Sequence, residues 1–296
     1  MDSLIYLNNF INFERKNMGH SKPTQVSKTY LETAPLPNHG KTYTVVSHKE
    51  VMDHTKKLLD QHNLKITKSV FRSNLNANVA QGIYHINTNS SDSELGMMFA
   101  WTNSYDKSTR FQCGIGAYVF VCNNGMIKGD MANYGRKHTG TANADIALTI
   151  ARQLGQAKHS YTQLIQDKDE MKNVSLSTKE QAEFAGRLFI DEKLIDSQQL
   201  SIVKSEMSDP SYNYGVDPDT AWMFYNHVTH AFKVNHPRTW MEKQSKFHEF
   251  MVAELLSNSQ LKNRDQVKEP EEDIDIPQEI ELDESTFDQA ANIFDL

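Results

Sequence analysis

The spacing of hydrophobic positions changes along the chain and divides it into a strand-rich part and a helix-rich part. From Leu64 to Cys122 the sequence is typical of strands in the stretches KITKSVFR, GIYHIN, ELGMMFAWTNS and FQCGIGAYVFVCNN. Turn-forming clusters such as NTNSSDS and NSYDKST separate these stretches. The short connections predict an antiparallel meander.

Apolar residues recur at helical spacing on both sides of this meander. Ser47 should cap a helix that runs through about His62, after a short strand at Tyr43, Val45 and Val46. Beyond Gly140 the pattern predicts helices over residues 143–166, 178–190, 219–232 and 238–257. Strands followed by helices predict an α+β fold, with the helices packed on the sheet, rather than a doubly wound sheet.

Composition sets the two ends of the chain apart from this body. Residues 1–40 are rich in Asn, Lys, Ser and Pro, and we expect an N-terminal arm that packs on a neighbour or on the body. Residues 41–257 should form a single domain. Residues 258–296 should form a disordered acidic tail, because blocks of like charge repel each other and cannot bury apolar surface.

The charge is divided unequally between these parts. The whole chain carries 31 basic and 38 acidic residues, a formal charge of −7, and mean hydropathy is −0.61. From Glu269 to Leu296 there are 11 acids and no Lys or Arg, so residues 1–268 hold 27 acids against 31 bases, a formal charge of +4. A mildly basic body therefore carries a strongly acidic tail.

The end of the tail has a pattern of its own. Phe287, Ala290, Ala291 and Phe294 lie at helical spacing, beside Ile293. Such an acidic peptide could bind a groove on a replication or recombination protein, with Phe287, Ile293 and Phe294 as its contacts. It could equally fold back on the basic body and compete there with a polyanion, or merely keep the protein soluble.

Several classes of protein lack support in the sequence. No stretch approaches the ~20 apolar residues of a membrane-spanning helix, and the opening residues do not follow the order of a secretory signal, so we expect no membrane partner and a cytoplasmic location. The only cysteines, Cys113 and Cys122, are too few to scaffold a secreted fold. No P-loop, dinucleotide fingerprint or nucleophile elbow is present, and we expect no cofactor.

Three stretches, in order along the chain, carry a family resemblance. They are WTNSYDKSTRFQCGIGAYVFVCNNGM, GRKHTG and DTAWMFYNHVTHAFKVNH. Over about residues 41–256 the sequence resembles the phage- and plasmid-encoded domain-of-unknown-function family 932. The resemblance implies a mobile-element origin and a bacterial host, but no activity. The chain departs from the family pattern at His230, where an acid is expected, and the acidic tail lies outside the resemblance.

Two groups of residues suggest chemistry that we weigh against a structural role. Cys122 with Asn124 and His138 could form a Cys-His catalytic site, although strand cysteines are usually buried hydrophobes. His227, His230 and His236 could bind a metal, but no Cys or HExxH pattern accompanies them, and we expect no metal. The acids Asp167, Asp169 and Glu170 have the pattern of a solvated helix end.

Basic residues interleaved with aromatic ones give the leading hypothesis. Phosphate contacts should come from Arg110, Arg136, Lys137, His138, Arg238, Lys243 and Lys246, whereas Trp222, Phe224 and Phe232 should be largely core. We predict a non-enzymatic, homo-oligomeric protein of a bacteriophage or plasmid that coats or anneals single-stranded DNA in replication or recombination. The alternatives are a structural, self-assembling phage protein without nucleic-acid affinity and, third, a Cys-His enzyme.

Overall fold

The computed structural model describes residues 24–37, 45–88, 92–128 and 142–257. The chain divides into two units, Met1–Asn258 and Ser259–Leu296, and all described residues belong to the first. The acidic tail with Phe287, Ile293 and Phe294 lies outside the described residues, as does the segment that holds Arg136, Lys137 and His138.

The described strands form a six-stranded antiparallel sheet in which each strand pairs with the next along the chain. The strands are β1 (Thr24–Val26), β2 (Ile66–Ser73), β3 (Val79–Ile86), β4 (Leu95–Ser104), β5 (Gln112–Val119) and β6 (Gly125–Ile127). The predicted meander is therefore confirmed. The short edge strands β1 and β6 were not predicted, and β5 ends at Val119 rather than at Cys122.

Helices precede and follow the meander. They are α1 (Lys28–Glu32), α2 (His48–Gln61), α3 (Ala142–Gly155), α4 (Ala157–Asn173), α5 (Thr178–Ile190), α6 (Ser197–Ser208), α7 (Ala221–Ala231) and α8 (Pro237–Ser257), with a 3₁₀ turn at Phe232–Val234. The α+β class and the order of strands followed by helices are confirmed. Of the described helices, none is long and apolar enough to cross a membrane.

Three details of the prediction are wrong. Val45 and Val46 are buried but belong to no strand. The single helix expected over 143–166 is two helices, because the helix is interrupted at Gln156, between α3 and α4. Helix α6 was missed, although Asp196 and Gln199 form a capping box at its start.

The sheet lies between two helical layers, and β4 is buried along its whole length for this reason. On one face, Trp101 contacts His48 of α2, and Asn103 donates to the Val46 carbonyl. On the other face, the Thr102 hydroxyl donates to the Pro237 carbonyl at 3.3 Å, and α8 crosses β3, β4 and β6. Side chains alternate between the two faces along each strand, so even-numbered positions of β4 face α8.

Candidate nucleic-acid interface

The described cations among the predicted contact residues fall into two kinds. Arg110 and Arg238 are exposed, and within the described ranges neither side chain has an acidic partner. Lys243 is half-buried and donates to Gln199 Oε1 at 3.2 Å, whereas Lys246 is exposed and paired with Glu242 at 2.6 Å. Thr102 contacts the Pro237 carbonyl and pairs with Gln112, so Arg238 and Arg110 lie at the same end of the sheet.

The outward stripe of α8 does not form a basic track. Its exposed charged positions are Arg238, Glu242, Lys246 and Glu249, so the charges alternate in sign. The aromatic residues of the late helices are in the core, as expected for Trp222, Phe224 and Phe232, and the same holds for Tyr225, Trp240 and Phe247. These six rings are therefore not available for base stacking.

A row of rings crosses the α8 face of the sheet at the end where β3 and β5 finish. The rings of His85 and Tyr118 are stacked with centroids 3.7 Å apart, and Phe120 meets Tyr118 edge-on at 5.4 Å. Tyr118 is half-buried, and the Phe120 side chain is 48% exposed. We call His85, Tyr118 and Phe120 the aromatic row.

A glycine in β4 makes this row possible. His85 lies on β3 and Tyr118 on β5, so the two rings can stack only by reaching across β4. Gly96 pairs with Tyr118, and a Cβ there would lie 2.4 Å from the Tyr118 ring carbon Cζ. Because Gly96 has no side chain, the Tyr118 ring lies directly over the β4 backbone.

The row is bordered by positive charge. Lys68 of β2 pairs in register with His85, and both Lys68 and Lys65 are exposed. Within the part of the chain that the structure describes, neither lysine forms an ion pair. Burial, with a smaller contribution from the Lys68 ammonium, lowers the pKa of His85 to about 4, so its imidazole is neutral at pH 7.

A cleft of about 270 Å³ continues the exposed apolar surface beyond Phe120. Val121, which is 47% exposed, Tyr214 and Trp222 line it together with Glu94. The Glu94 carboxylate is held by Lys172 at 2.8 Å. This ion pair ties the turn before β4 to helix α4 and fixes one wall of the cleft.

Comparison with known proteins identifies a family. The family model described as a domain of unknown function, DUF932, matches residues 35–267, well over half of the chain. The chain belongs to the DUF932 family. No curated protein and no solved structure matches it. The match confirms the resemblance drawn from the sequence, while the phage or plasmid origin remains a prediction.

In this DUF932 chain, Cys122 has the surroundings of a structural cysteine. The residue is 3% exposed, and its sulfur accepts the Asn124 amide at 3.3 Å. Burial raises the pKa of the Cys122 thiol, whereas a nucleophilic cysteine needs a lowered one. His138, its suggested partner, lies outside the described residues.

The three candidate metal ligands serve other purposes. His227 is buried, His230 Nε2 lies 3.6 Å from Glu206, and His236 Nδ1 accepts the backbone amide of Arg238 at the start of α8. Among the described residues, no three His, Cys, Asp or Glu side chains are arranged to hold a metal ion.

Asp167 is not part of a solvated helix end, as the sequence suggested. Its carboxylate is 2% exposed, 2.9 Å from His248 Nε2 and 2.9 Å from the Lys128 ammonium. The Tyr225 hydroxyl is bonded to the other nitrogen of His248 at 3.2 Å. This series of hydrogen bonds resembles a proton relay, but His248 and Tyr225 are buried as completely as Asp167. It therefore joins α4 to α7 and α8 rather than meeting a substrate.

The aromatic row was missed by the sequence analysis. One signal was present, because Tyr118 and Phe120 are two residues apart in a predicted strand and thus expected on the same face. Nothing in the sequence shows that this face meets His85 across Gly96, since that depends on the strand register.

Proposed function

We propose that this DUF932 protein binds single-stranded nucleic acid without catalysing a reaction on it, coating or annealing DNA strands during replication or recombination of a mobile element. The observation that carries the proposal is the aromatic row, in which the exposed Phe120 ring lies beside the half-buried Tyr118 at one end of the sheet. Lys65 and Lys68 border the row and form no ion pair within the described residues. Sheet surfaces with exposed rings are a recurrent platform for unpaired bases.

The division of labour follows from the chemistry of the side chains. The exposed Phe120 ring offers a face on which a base stacks, and Tyr118 extends that surface toward β3. Lys68 and Lys65 lie where they can meet backbone phosphates. Stacking does not distinguish one base from another, so sequence-independent binding is expected.

The acidic tail gives this interface a means of regulation. A segment with 11 acids after Lys268 competes with nucleic acid for cationic surface or recruits replication and recombination proteins. A chain that ends at Lys268 should then bind an oligonucleotide more tightly than the full chain does.

The test is filter binding of a labelled single-stranded oligonucleotide across a salt series. Phe120→Ala should weaken binding by about tenfold, as expected from ~1–3 kcal/mol per stacked base. Phe189→Ala is the matched control, because Phe189 is 37% exposed but lies on α5, away from the row. Equal affinities of the two variants, or no binding at low salt by the chain ending at Lys268, would refute the proposal.

Lysine variants separate this proposal from self-assembly. Lys68→Gln should lower the salt slope by about 0.7, the value for one phosphate contact on a single strand, while the exposed Lys179→Gln should leave it unchanged. A structural protein that assembles without nucleic-acid affinity would show no such binding and a concentration-dependent mass in light scattering.

A further inference from the structure

A chain of hydrogen bonds connects two half-buried cations at the place where the 3₁₀ turn leads into α8. The Arg72 guanidinium of β2 donates to Gln81 Oε1 at 3.2 Å and also to the main-chain oxygens of Lys233 and Asn235. Arg72 therefore joins β2 and β3 to the 3₁₀ turn and to the segment that precedes α8.

The second cation enters through α6. Lys243 Nζ donates to Gln199 Oε1 at 3.2 Å, and Gln199 Nε2 donates to Asn235 Oδ1 at 2.6 Å. We call Arg72, Gln81, Gln199, Asn235 and Lys243 the Arg72 network. It draws on β2, β3, α6 and the start of α8, so its groups are positioned by packed elements.

Neither Arg72 nor Lys243 is hydrogen-bonded to a carboxylate within the described ranges. Every acceptor bonded to Arg72 or Lys243 within the described residues is a neutral amide oxygen. The carboxylate whose charge reaches Lys243 is that of Asp196, the exposed N-cap of α6. It accepts a hydrogen bond from the backbone N–H of Gln199. Burial lowers the pKa of Arg72 to about 10 and also lowers that of Lys243, as expected where a cation lacks a counter-ion.

The bonds within the network fix which way its amides point. Gln81 must present oxygen to Arg72, because a guanidinium only donates. Gln199 must likewise present oxygen to Lys243, so its NH₂ group donates to Asn235, whose side-chain oxygen accepts. The NH₂ groups of Gln81 and Asn235 are then left to donate elsewhere.

Within the described residues, neither of these two NH₂ groups has a hydrogen-bond partner. Gln81 is 0% and Asn235 5% exposed, and Gln81 Nε2 and Asn235 Nδ2 are both buried without an acceptor. A buried donor without an acceptor is costly and calls for a missing ligand or water. Here the missing partner must accept hydrogen bonds, and the nearby cations favour one that is negatively charged.

We propose that the Arg72 network binds a phosphate-type oxyanion. The two cations, half-exposed to solvent, attract it, and the NH₂ groups of Gln81 and Asn235 donate to its oxygens. The site lies beside the N-terminus of α8, a helix of 21 residues whose dipole also favours an anion. The inference is independent of base stacking on the aromatic row, and the oxyanion can come from free phosphate or from a nucleic-acid phosphodiester.

Inorganic phosphate tests the site directly. We expect the phosphorus NMR signal of inorganic phosphate to broaden when the full chain is added. Phosphate should also raise the unfolding temperature of the protein above its value in chloride of equal ionic strength. No effect of phosphate beyond that of chloride would overturn the proposal. Competition by an oligonucleotide for bound phosphate would support the site and identify its source as a phosphodiester, and binding without competition would support it with free phosphate as the ligand.

Two variants with a matched control locate the site. Lys243→Gln should weaken phosphate binding by about tenfold, the usual loss for one charged hydrogen bond, while Lys246→Gln on the same helix should not change it. Arg72→Lys should weaken binding as well, because a single ammonium cannot reproduce the guanidinium fork. Equal phosphate affinity of the Lys243→Gln and Lys246→Gln proteins would overturn the proposal. This comparison can be made even if the Arg72→Lys protein does not fold.

Discussion

Replacing Gly96 by alanine tests the geometry on which the aromatic row depends. The new Cβ would lie 2.4 Å from Cζ and 2.6 Å from the hydroxyl oxygen of Tyr118, closer than atoms without a bond can approach. The Tyr118 ring must therefore move off β4, and it loses its stack on His85.

The expected cost can be assembled from its parts. Overpacking costs about 1–3 kcal/mol and a lost ring pair about 0.5–1.5 kcal/mol, while alanine in a strand gains roughly 0.5–1 kcal/mol over glycine. We therefore expect Gly96→Ala to lower the free energy of unfolding by about 0.5–4 kcal/mol, measured by urea denaturation. Gly186→Ala is the control, because α5 leaves open space there and the change should stabilise by up to ~1 kcal/mol.

A double-mutant cycle makes the reasoning refutable. In a Tyr118→Ala background the clash is absent, so Gly96→Ala should cost nothing there or even stabilise. The single Gly96→Ala variant should also bind an oligonucleotide more weakly than wild type. An equal loss of stability with and without the Tyr118 ring would show that this ring does not need the glycine.

Three further predictions concern buried groups. The pKa of His85 is about 4 in the folded protein and 6.5 in the unfolded chain, so the unfolded chain binds a proton at a higher pH. The urea midpoint should therefore fall as the pH is lowered from 6.5 to 4. The fall should be less steep in the His85→Gln protein. Asp167→Asn should destabilise by about 3–5 kcal/mol, against under about 1 kcal/mol for the exposed Asp169→Asn, in the same urea assay. Cys122 should resist iodoacetamide until urea unfolds the chain, and rapid alkylation of the native protein would contradict its burial.

The fold was largely predictable because its signals are local. The strand-like stretches of β2 to β5, the turn clusters between them and the Ser47 cap of α2 are each signals within a short piece of sequence, and the structure places these elements close to where they were expected. The misses are elements with weak local signals. Strand β6 has three residues and is defined by pairing with β5, while the break at Gln156 interrupts a continuous helical pattern.

The site was less predictable because burial and pairing are decided by tertiary contacts. The aromatic residues of the late helices are core, and Lys246 is paired with Glu242 one turn away. Asp167 shows the same effect in reverse, since a carboxylate in a polar stretch became buried once α8 supplied His248. Composition gives the number of charged side chains, but it does not show which of them are exposed and free of ion pairs.

The salt dependence of binding distinguishes an interface on the aromatic row from the phosphate contacts that the sequence predicted. For single strands, log affinity falls against log salt with a slope of about −0.7 per phosphate contacted. An interface built on the aromatic row has Lys65 and Lys68 as its unpaired cations and should give a slope of about −1.4, with most of the affinity from stacking. The six Lys and Arg residues first expected to contact phosphate would give about −4. A slope near −4 that is unchanged by Phe120→Ala would therefore move the interface away from the sheet, because no arrangement of two lysines releases that many counterions.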